Sequence, residues 1–126
     1  MASVTLRGNP FSTNGELPAV GSAAPDFTLT GNDLGDVTLG SLAGRRGILN
    51  IFPSIDTPTC AQSVRSFNEK AAAREGTTVI CVSEDLPFAM NRFCGAEGIE
   101  NVKVASAFRS DFTESYGLEL ADGPLR

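Results

Sequence analysis

The most informative segment of the sequence is Gly47-Ile-Leu-Asn-Ile-Phe-Pro-Ser-Ile-Asp-Thr-Pro-Thr-Cys60. It opens with a short, nearly all-apolar run that Pro53 ends, a pattern typical of a central strand covered on both faces. A helix is predicted to follow, because Thr57 is a favourable N-cap residue and Pro58 suits the first helical position. An apolar stripe at helical spacing then continues through Val64, Phe67 and Ala71.

The same alternation of strands and helices continues on both sides of this stretch. Strands are predicted at Phe27–Thr30, Asp36–Leu39, Thr77–Val82 and Val102–Ala105, and helices at Pro87–Cys94, with Gly95 as the stop, and Asp111–Tyr116. Near the start, the apolar pieces Val4–Leu6 and Leu17–Val20 predict a small β-hairpin or an extended arm. Strands separated by helices of this size indicate an α/β domain with a partly parallel sheet, and residues 1–126 are expected to form a single domain.

Composition excludes several kinds of function. The chain has 126 residues, 41% of them hydrophobic, and a net charge of −5 without any basic run, so nucleic acid and anionic membranes are poor partners. The chain contains no His, which removes Cys-His and Ser-His pairs and imidazole acid–base chemistry. Three cysteines are too few for a secreted disulfide framework, and no signal-peptide or membrane-span pattern is present, so a reducing cytoplasm is the expected compartment.

Cys60 is the candidate nucleophile. It is the third residue of the predicted helix, where unpaired backbone N–H groups and the positive end of the helix dipole favour a thiolate. It also follows the carboxyl end of a predicted strand, where open α/β sheets tend to bind ligands. The alternative is that Cys60 is a small core residue, the commonest role of an unpaired cysteine.

Cys94 stands at the opposite end of a helix. Directly before Gly95, the unpaired carbonyl groups of a helix C-terminus disfavour a thiolate, so this residue is expected to stay a neutral thiol until it reacts. Paired with Cys60 it would act as a resolving thiol. The alternative is a buried small residue that packs with Phe88 and Phe93.

The remaining candidates are one cysteine and three arginines. Cys81 lies inside an apolar strand and is interpreted as a core residue. Each of Arg65, Arg92 and Arg109 could supply a positive charge near a thiolate, and their spacing does not distinguish them. A zinc site on the three cysteines is a weak alternative, because no pair has the close spacing of metal ligands.

Two long segments carry a family resemblance. Residues 50–68, around Thr57-Pro-Thr-Cys60, resemble the peroxidatic motif of the thiol peroxidase branch of the peroxiredoxins. Residues 85–98, which begin Asp-Leu-Pro-Phe and contain Cys94, resemble the resolving-cysteine segment of that branch. The pieces Leu6–Pro10, Asp36–Gly40 and Ala121–Leu125 also fit, so the resemblance covers nearly the whole chain.

The resemblance implies a thioredoxin-like fold with an N-terminal β-hairpin and the reduction of hydrogen peroxide and organic hydroperoxides, without metal or cofactor. Cys60 would attack the peroxide and become a sulfenic acid, Thr57 would hold the sulfur and the peroxide by its hydroxyl, and Pro53 would shield the pocket from water. Cys94 would then form an intrachain disulfide with Cys60, which thioredoxin would reduce. A homodimer is also implied.

The chain departs from the family pattern at its end. The family's last strands and C-terminal helix are not matched by these residues, so the domain is expected to be C-terminally incomplete. Arg126 does not align with the arginine that completes the family's pocket. The alternative function is a thiol switch, in which oxidation of Cys60 and Cys94 changes a binding partner without catalytic turnover.

Overall fold

Two compact units make up the computed structural model, which describes residues 2–126. One unit combines the residues up to 27 with residues 111–126, and the other is Thr28–Ser110. In chain order the elements are β1 (Ser3–Leu6), β2 (Asn9–Ser12), β3 (Thr28–Gly31), β4 (Asp36–Thr38), a short 3₁₀ helix (Leu39–Leu42), β5 (Arg46–Ile51), α1 (Pro58–Ala71), β6 (Thr77–Ser83), α2 (Pro87–Glu97), β7 (Lys103–Ser106) and α3 (Phe112–Ser115).

The predicted N-terminal hairpin is present, but with a different second strand. β1 pairs antiparallel with β2, and the two connecting residues, Arg7 and Gly8, have φ angles of 53° and 81°. Positive φ at both central residues is the requirement of a type I′ hairpin turn, which pairs the residues on either side of it directly. Of the two alternatives, a hairpin or an extended arm, the hairpin is wrong for Leu17–Val20, because this segment lies after the hairpin and exposes both Leu17 and Val20.

An aromatic cluster forms the core of the smaller unit. The rings of Phe112 and Tyr116 stack at 4.5 Å between centroids, and Phe27 meets Phe112 edge-on at 5.5 Å. The Tyr116 hydroxyl donates to the carbonyl oxygen of Pro25 at 2.7 Å, so its polar end is satisfied in this buried position. The predicted short helix after Asp111 is confirmed as α3.

A five-stranded mixed sheet organises the larger unit. The strand order is β4-β3-β7-β6-β5, with β5, β6 and β7 parallel and β3 antiparallel to both β4 and β7. The parallel strands are connected through α1 and α2, as parallel neighbours require. The predicted α/β architecture with a partly parallel sheet is therefore confirmed.

β5 does not occupy the predicted central position. In residues 2–126 it is an edge strand, paired only with β6, and its residues are half-buried or exposed. The expectation of a strand covered on both faces is therefore wrong. The fully buried strand is β6, in which the five residues from Val79 to Ser83 are all buried. An apolar run of five or six residues indicates that the segment favours a β-strand, but it does not indicate whether that strand has a neighbour on one side or on both.

Residues from the sheet, from both longer helices and from the adjoining loops build the core of the larger unit. Its buried members are Phe52, Ile55, Val64, Val79, Cys81, Met90, Cys94, Ile99 and Val104. Cys60 and Phe67 on α1 pack against this cluster and are only partly buried. Among residues 2–126, none of the helices has both the length and the apolar character needed to cross a membrane.

Candidate active site

Cys60 is placed where the sequence predicts it. α1 begins at Pro58 after an extended Thr57, so Cys60 is the third helical residue. The first intrahelical bond of α1 runs from Ala61 N–H to Thr57 O at 2.9 Å, which leaves the N–H groups before Ala61 without helical partners. The free thiol is half-buried and contacts the core. The sulfur thus lies on a helix turn with unpaired backbone N–H groups and is partly accessible to a small molecule.

The hydroxyl of Thr57 donates its proton to a hydrogen bond within the loop before α1. Its Oγ1 donates to the carbonyl oxygen of Ser54 at 3.0 Å and makes no capping bond to the helix. A hydroxyl has one proton and two lone pairs, so towards another group this oxygen can only accept a hydrogen bond. Thr57 is therefore suited to receive the O–H of a bound hydroperoxide.

Pro53 lies in the loop between β5 and α1, and its side chain is exposed. The same loop is bound by a carboxylate that the sequence reasoning did not single out. Asp85 accepts hydrogen bonds from the Ser54 hydroxyl at 2.8 Å and from the Ile55 N–H at 2.7 Å. The available sequence signal was an acidic residue just after the end of the predicted buried strand, where polar side chains of α/β sheets gather.

Cys94 lies inside the last turn of α2, three residues before the helix ends. The prediction of Gly95 as the stop is wrong: α2 runs to Glu97, and Gly98, with φ 67°, is the left-handed cap. A glycine takes this conformation without the steric cost of a Cβ, and Ile99 N–H then bonds back to Cys94 O at 2.9 Å. Gly95 has an ordinary helical position and ends nothing.

The thiol of Cys94 is buried, and this burial raises its pKa. Desolvation therefore favours the neutral thiol that the sequence predicts for this residue in the last turn of α2. The predicted packing partners differ from each other, since Phe93 contacts the core while Phe88 is exposed. Cys60 and Cys94 touch the same core cluster, so the structure brings the two predicted reactive cysteines to one part of the larger unit.

Cys81 is fully buried on β6 within the same cluster. Burial raises the pKa of this thiol to about 11, a bond from the Asn50 amide opposes the rise, and the neighbouring Cys94 adds to it. The Asn50 Nδ2 lies 3.7 Å from the sulfur and 3.1 Å from the hydroxyl of Ser63 on α1. These contacts agree with the interpretation of Cys81 as a packing residue.

The raised pKa of Cys81 predicts a loss of stability in alkali. An unfolded thiol ionises near its ordinary pKa of 9.0, whereas the folded one keeps its proton to about 11. The unfolded state therefore binds fewer protons in this interval, and stability falls as the pH rises through it. We expect the destabilisation caused by Cys81→Ala at pH 7 to shrink by about 1 kcal/mol at pH 10.

The measurement is urea unfolding under reducing conditions at both pH values. Val79→Ala is the matched control, because it removes a buried side chain from the same strand and cluster without removing a titratable group. Its cost should be the same at pH 7 and pH 10. Equal pH dependence of the two variants would contradict the assignment to Cys81.

Among the arginines, Arg65 forms an ion pair with a residue of the neighbouring helix. Its Nε lies 2.5 Å from a carboxylate oxygen of Glu97 on α2, and its guanidinium sits 5.6 Å from the centre of the Phe93 ring. Arg92 and Arg109 are exposed. Within residues 2–126, no group of three or more His, Cys, Asp or Glu side chains could hold a metal ion.

Comparison with known proteins shows similarity along almost the entire chain. A family model described as Redoxin matches residues 19–126. A thiol peroxidase from Mycobacterium bovis is 64% identical over 125 residues, which cover 99% of this chain and 75% of that protein. A thiol peroxidase from Corynebacterium glutamicum is 54% identical over 126 residues, which cover 100% of this chain and 76% of that protein.

One solved structure supports the same relationship. A peroxiredoxin-like protein from Aquifex aeolicus superposes with a TM-score of 0.92 at 40% sequence identity. The match covers 98% of this chain and 72% of that one.

Proposed function

Because the chain belongs to the Redoxin family and, within it, to the thiol peroxidases, we propose that this thiol-dependent peroxidase reduces hydroperoxides at Cys60. Membership in the family confirms the predicted thioredoxin-like fold and the enzyme class. The observation that carries the proposal is the half-buried thiol on the first turn of α1, beside unpaired backbone N–H groups. These groups are donors for the negative charge that develops when the peroxide bond breaks.

The first step is a two-electron transfer. The Cys60 thiolate attacks the outer oxygen of the hydroperoxide, a sulfur–oxygen bond forms, and the oxygen–oxygen bond breaks. The sulfur takes the outer O–H group and is oxidised to a sulfenic acid, and the leaving alkoxide, or hydroxide from hydrogen peroxide, takes a proton from solvent to become an alcohol or water. Thr57 accepts the O–H of the incoming peroxide, since its own proton is held by Ser54 O. Pro53, exposed in the same loop, is assigned the shielding of this site from water by the family resemblance alone.

Cys94 completes the cycle as the resolving thiol. Its sulfur attacks the Cys60 sulfenic acid, water leaves, and an intrachain disulfide forms. The contact of both residues with one core cluster supports this pairing, and burial raises the pKa of Cys94, which favours its neutral thiol. A thioredoxin then reduces the disulfide by thiol exchange.

The remaining properties follow as part of the same proposal. Residues 1–126 act as one domain, and the enzyme works as a homodimer in the cytoplasm. Nucleic acid and membranes are not partners, which the net charge of −5 supports. The steps described use the side chains of this chain, the hydroperoxide and thioredoxin, and no bound cofactor takes part in them.

A turnover count separates catalysis from a thiol switch. The purified chain is mixed with thioredoxin, its reductase and excess hydroperoxide, and the peroxide consumed per chain is measured. An enzyme consumes many equivalents, whereas a switch stops after a single oxidation. A stop after one equivalent with fully reduced thioredoxin present would replace the proposed function with the switch.

A further inference from the structure

Asp85 connects the segments that carry the two reactive cysteines. It lies between the end of β6 and the start of α2, and its carboxylate reaches the loop that leads into α1. Oδ1 accepts the Ser54 hydroxyl at 2.8 Å, and Oδ2 accepts the Ile55 N–H at 2.7 Å. Because two adjacent loop residues bind two different oxygen atoms, the carboxylate determines both the position and the orientation of the loop.

Asp85 is itself anchored on the ends of two strands. Ser83 donates its hydroxyl to Oδ2 at 2.5 Å and receives the Asp85 N–H at 3.2 Å. Ser106, the last residue of β7, donates its hydroxyl to the Asp85 carbonyl oxygen at 2.5 Å. Both serines are 2% exposed. The carboxylate therefore projects from a rigid part of the sheet.

The effect of Asp85 extends through Ser54 to Thr57. The Ser54 hydroxyl donates to Asp85, its oxygen accepts the Asp56 N–H at 3.1 Å, and its carbonyl accepts the Thr57 hydroxyl at 3.0 Å. A displacement of Ser54 would thus move the carbonyl group that orients the Thr57 hydroxyl.

We propose that Asp85 is a positioning residue that holds Ser54 and Ile55, and through Ser54 the hydroxyl of Thr57, in the arrangement that receives a peroxide beside Cys60. This inference rests on the proposed reaction of Cys60. Asp85 acts through the loop, and no contact of Asp85 with the peroxide is required.

The test compares two reactions of the same sulfur. In a Cys94→Ser background, which isolates the first step, the rate of Cys60 oxidation by hydrogen peroxide is measured beside its alkylation by iodoacetamide. Both reactions need the thiolate, but only the peroxide reaction needs the aligned loop. Because a misplacement of about 1 Å can cost about 100-fold in rate, we expect Asp85→Ala to lower the peroxide rate by about that factor. Alkylation should stay within about threefold of the parent, since it depends on access and ionisation alone.

Two further variants control the comparison. Asp85→Asn keeps one acceptor oxygen for the Ile55 N–H, and its amide N–H can donate to the Ser54 oxygen in place of the bond that Oδ1 accepted, so it should recover most of the peroxide rate. Asp33→Ala is the matched control, because Asp33 also accepts a backbone N–H, from Gly35 at 2.9 Å, but lies in the turn between β3 and β4 at the other edge of the sheet. It should leave both rates unchanged.

The rates of the Asp85→Ala and Ser54→Ala variants decide whether Asp85 has the positioning role. A folded Asp85→Ala variant whose peroxide rate stays near that of the parent, or whose two rates fall together, overturns the positioning role. If Asp85→Ala does not unfold cooperatively in urea, Ser54→Ala decides, because it removes the link through Oδ1 while the carboxylate keeps Ile55 and Ser83. It should lower the peroxide rate by about tenfold without changing alkylation, and an unchanged peroxide rate overturns the role. A parent that forms no sulfenic acid at Cys60 would instead overturn the proposed function.

Discussion

Replacing Cys60 with serine is expected to reduce peroxide turnover to the uncatalysed background, a loss of at least about 1,000-fold. Serine preserves the size of the side chain and is tolerated on the first turn of a helix, so α1 should still start at Pro58. A serine hydroxyl remains protonated at neutral pH and has no His to activate it, because the chain contains none. The substitution therefore removes the nucleophile and little else.

The measurement is peroxide consumption coupled to thioredoxin, with unfolding in urea as a check on the fold. Cys81→Ala serves as the control, since it removes a thiol that is fully buried and held protonated by its raised pKa. This variant should lose stability and keep its turnover while folded. Turnover in Cys60→Ser within about tenfold of the parent would exclude Cys60 as the peroxidatic residue.

Replacing Cys94 with serine is expected to separate oxidation from recycling. Cys60 should still react once with peroxide, but the sulfenic acid would have no partner, so thioredoxin-dependent turnover should fall by at least about 100-fold. The sulfenic acid can be detected by trapping with a carbon nucleophile and peptide mapping. The effect differs in kind from that of Cys60→Ser, which abolishes both oxidation and turnover.

Peptide mapping of the oxidised parent completes this prediction. The main disulfide should connect Cys60 with Cys94, while Cys81 stays reduced because it is fully buried and its thiol has a pKa of about 11. A main disulfide that contains Cys81 would contradict the assignment of Cys94. A disulfide between Cys60 and Cys81 would leave the role of Cys60 intact, whereas one between Cys81 and Cys94 would contradict both assignments.

Formation of this disulfide has a structural requirement. Cys60 lies in the first turn of α1, and Cys94 lies in the last turn of α2. The carbonyl oxygen of Cys94 accepts a hydrogen bond from the Ile99 N–H. The two helices are also joined by the pair Arg65 and Glu97. A disulfide requires the Cα atoms of the two cysteines to lie within about 7 Å of each other. Where the folded helices hold them further apart, the start of α1 or the end of α2 must unwind before the bond forms.

Local signals made the start of α1 predictable. A capping threonine, a proline at the first helical position and an apolar stripe are all contained in residues 57–71, and the helix occupies Pro58–Ala71. Strand β4 and helix α3 could also be predicted from local sequence patterns. The prediction failed at Gly95, because a glycine can continue a helix, and the residue that ended α2 was the next glycine, Gly98.

The family and the place of Cys60 on the first turn of α1 could be predicted from the sequence, since both depend on residues close together along the chain. Tertiary structure decided which strand is central, what keeps Cys94 protonated and what holds the loop before α1. The carboxylate of Asp85 is 30 residues from the Ile55 N–H it accepts, and burial of Cys94 depends on side chains from several elements. Such contacts arise only when distant segments pack together, and no local pattern of apolar or capping residues encodes them.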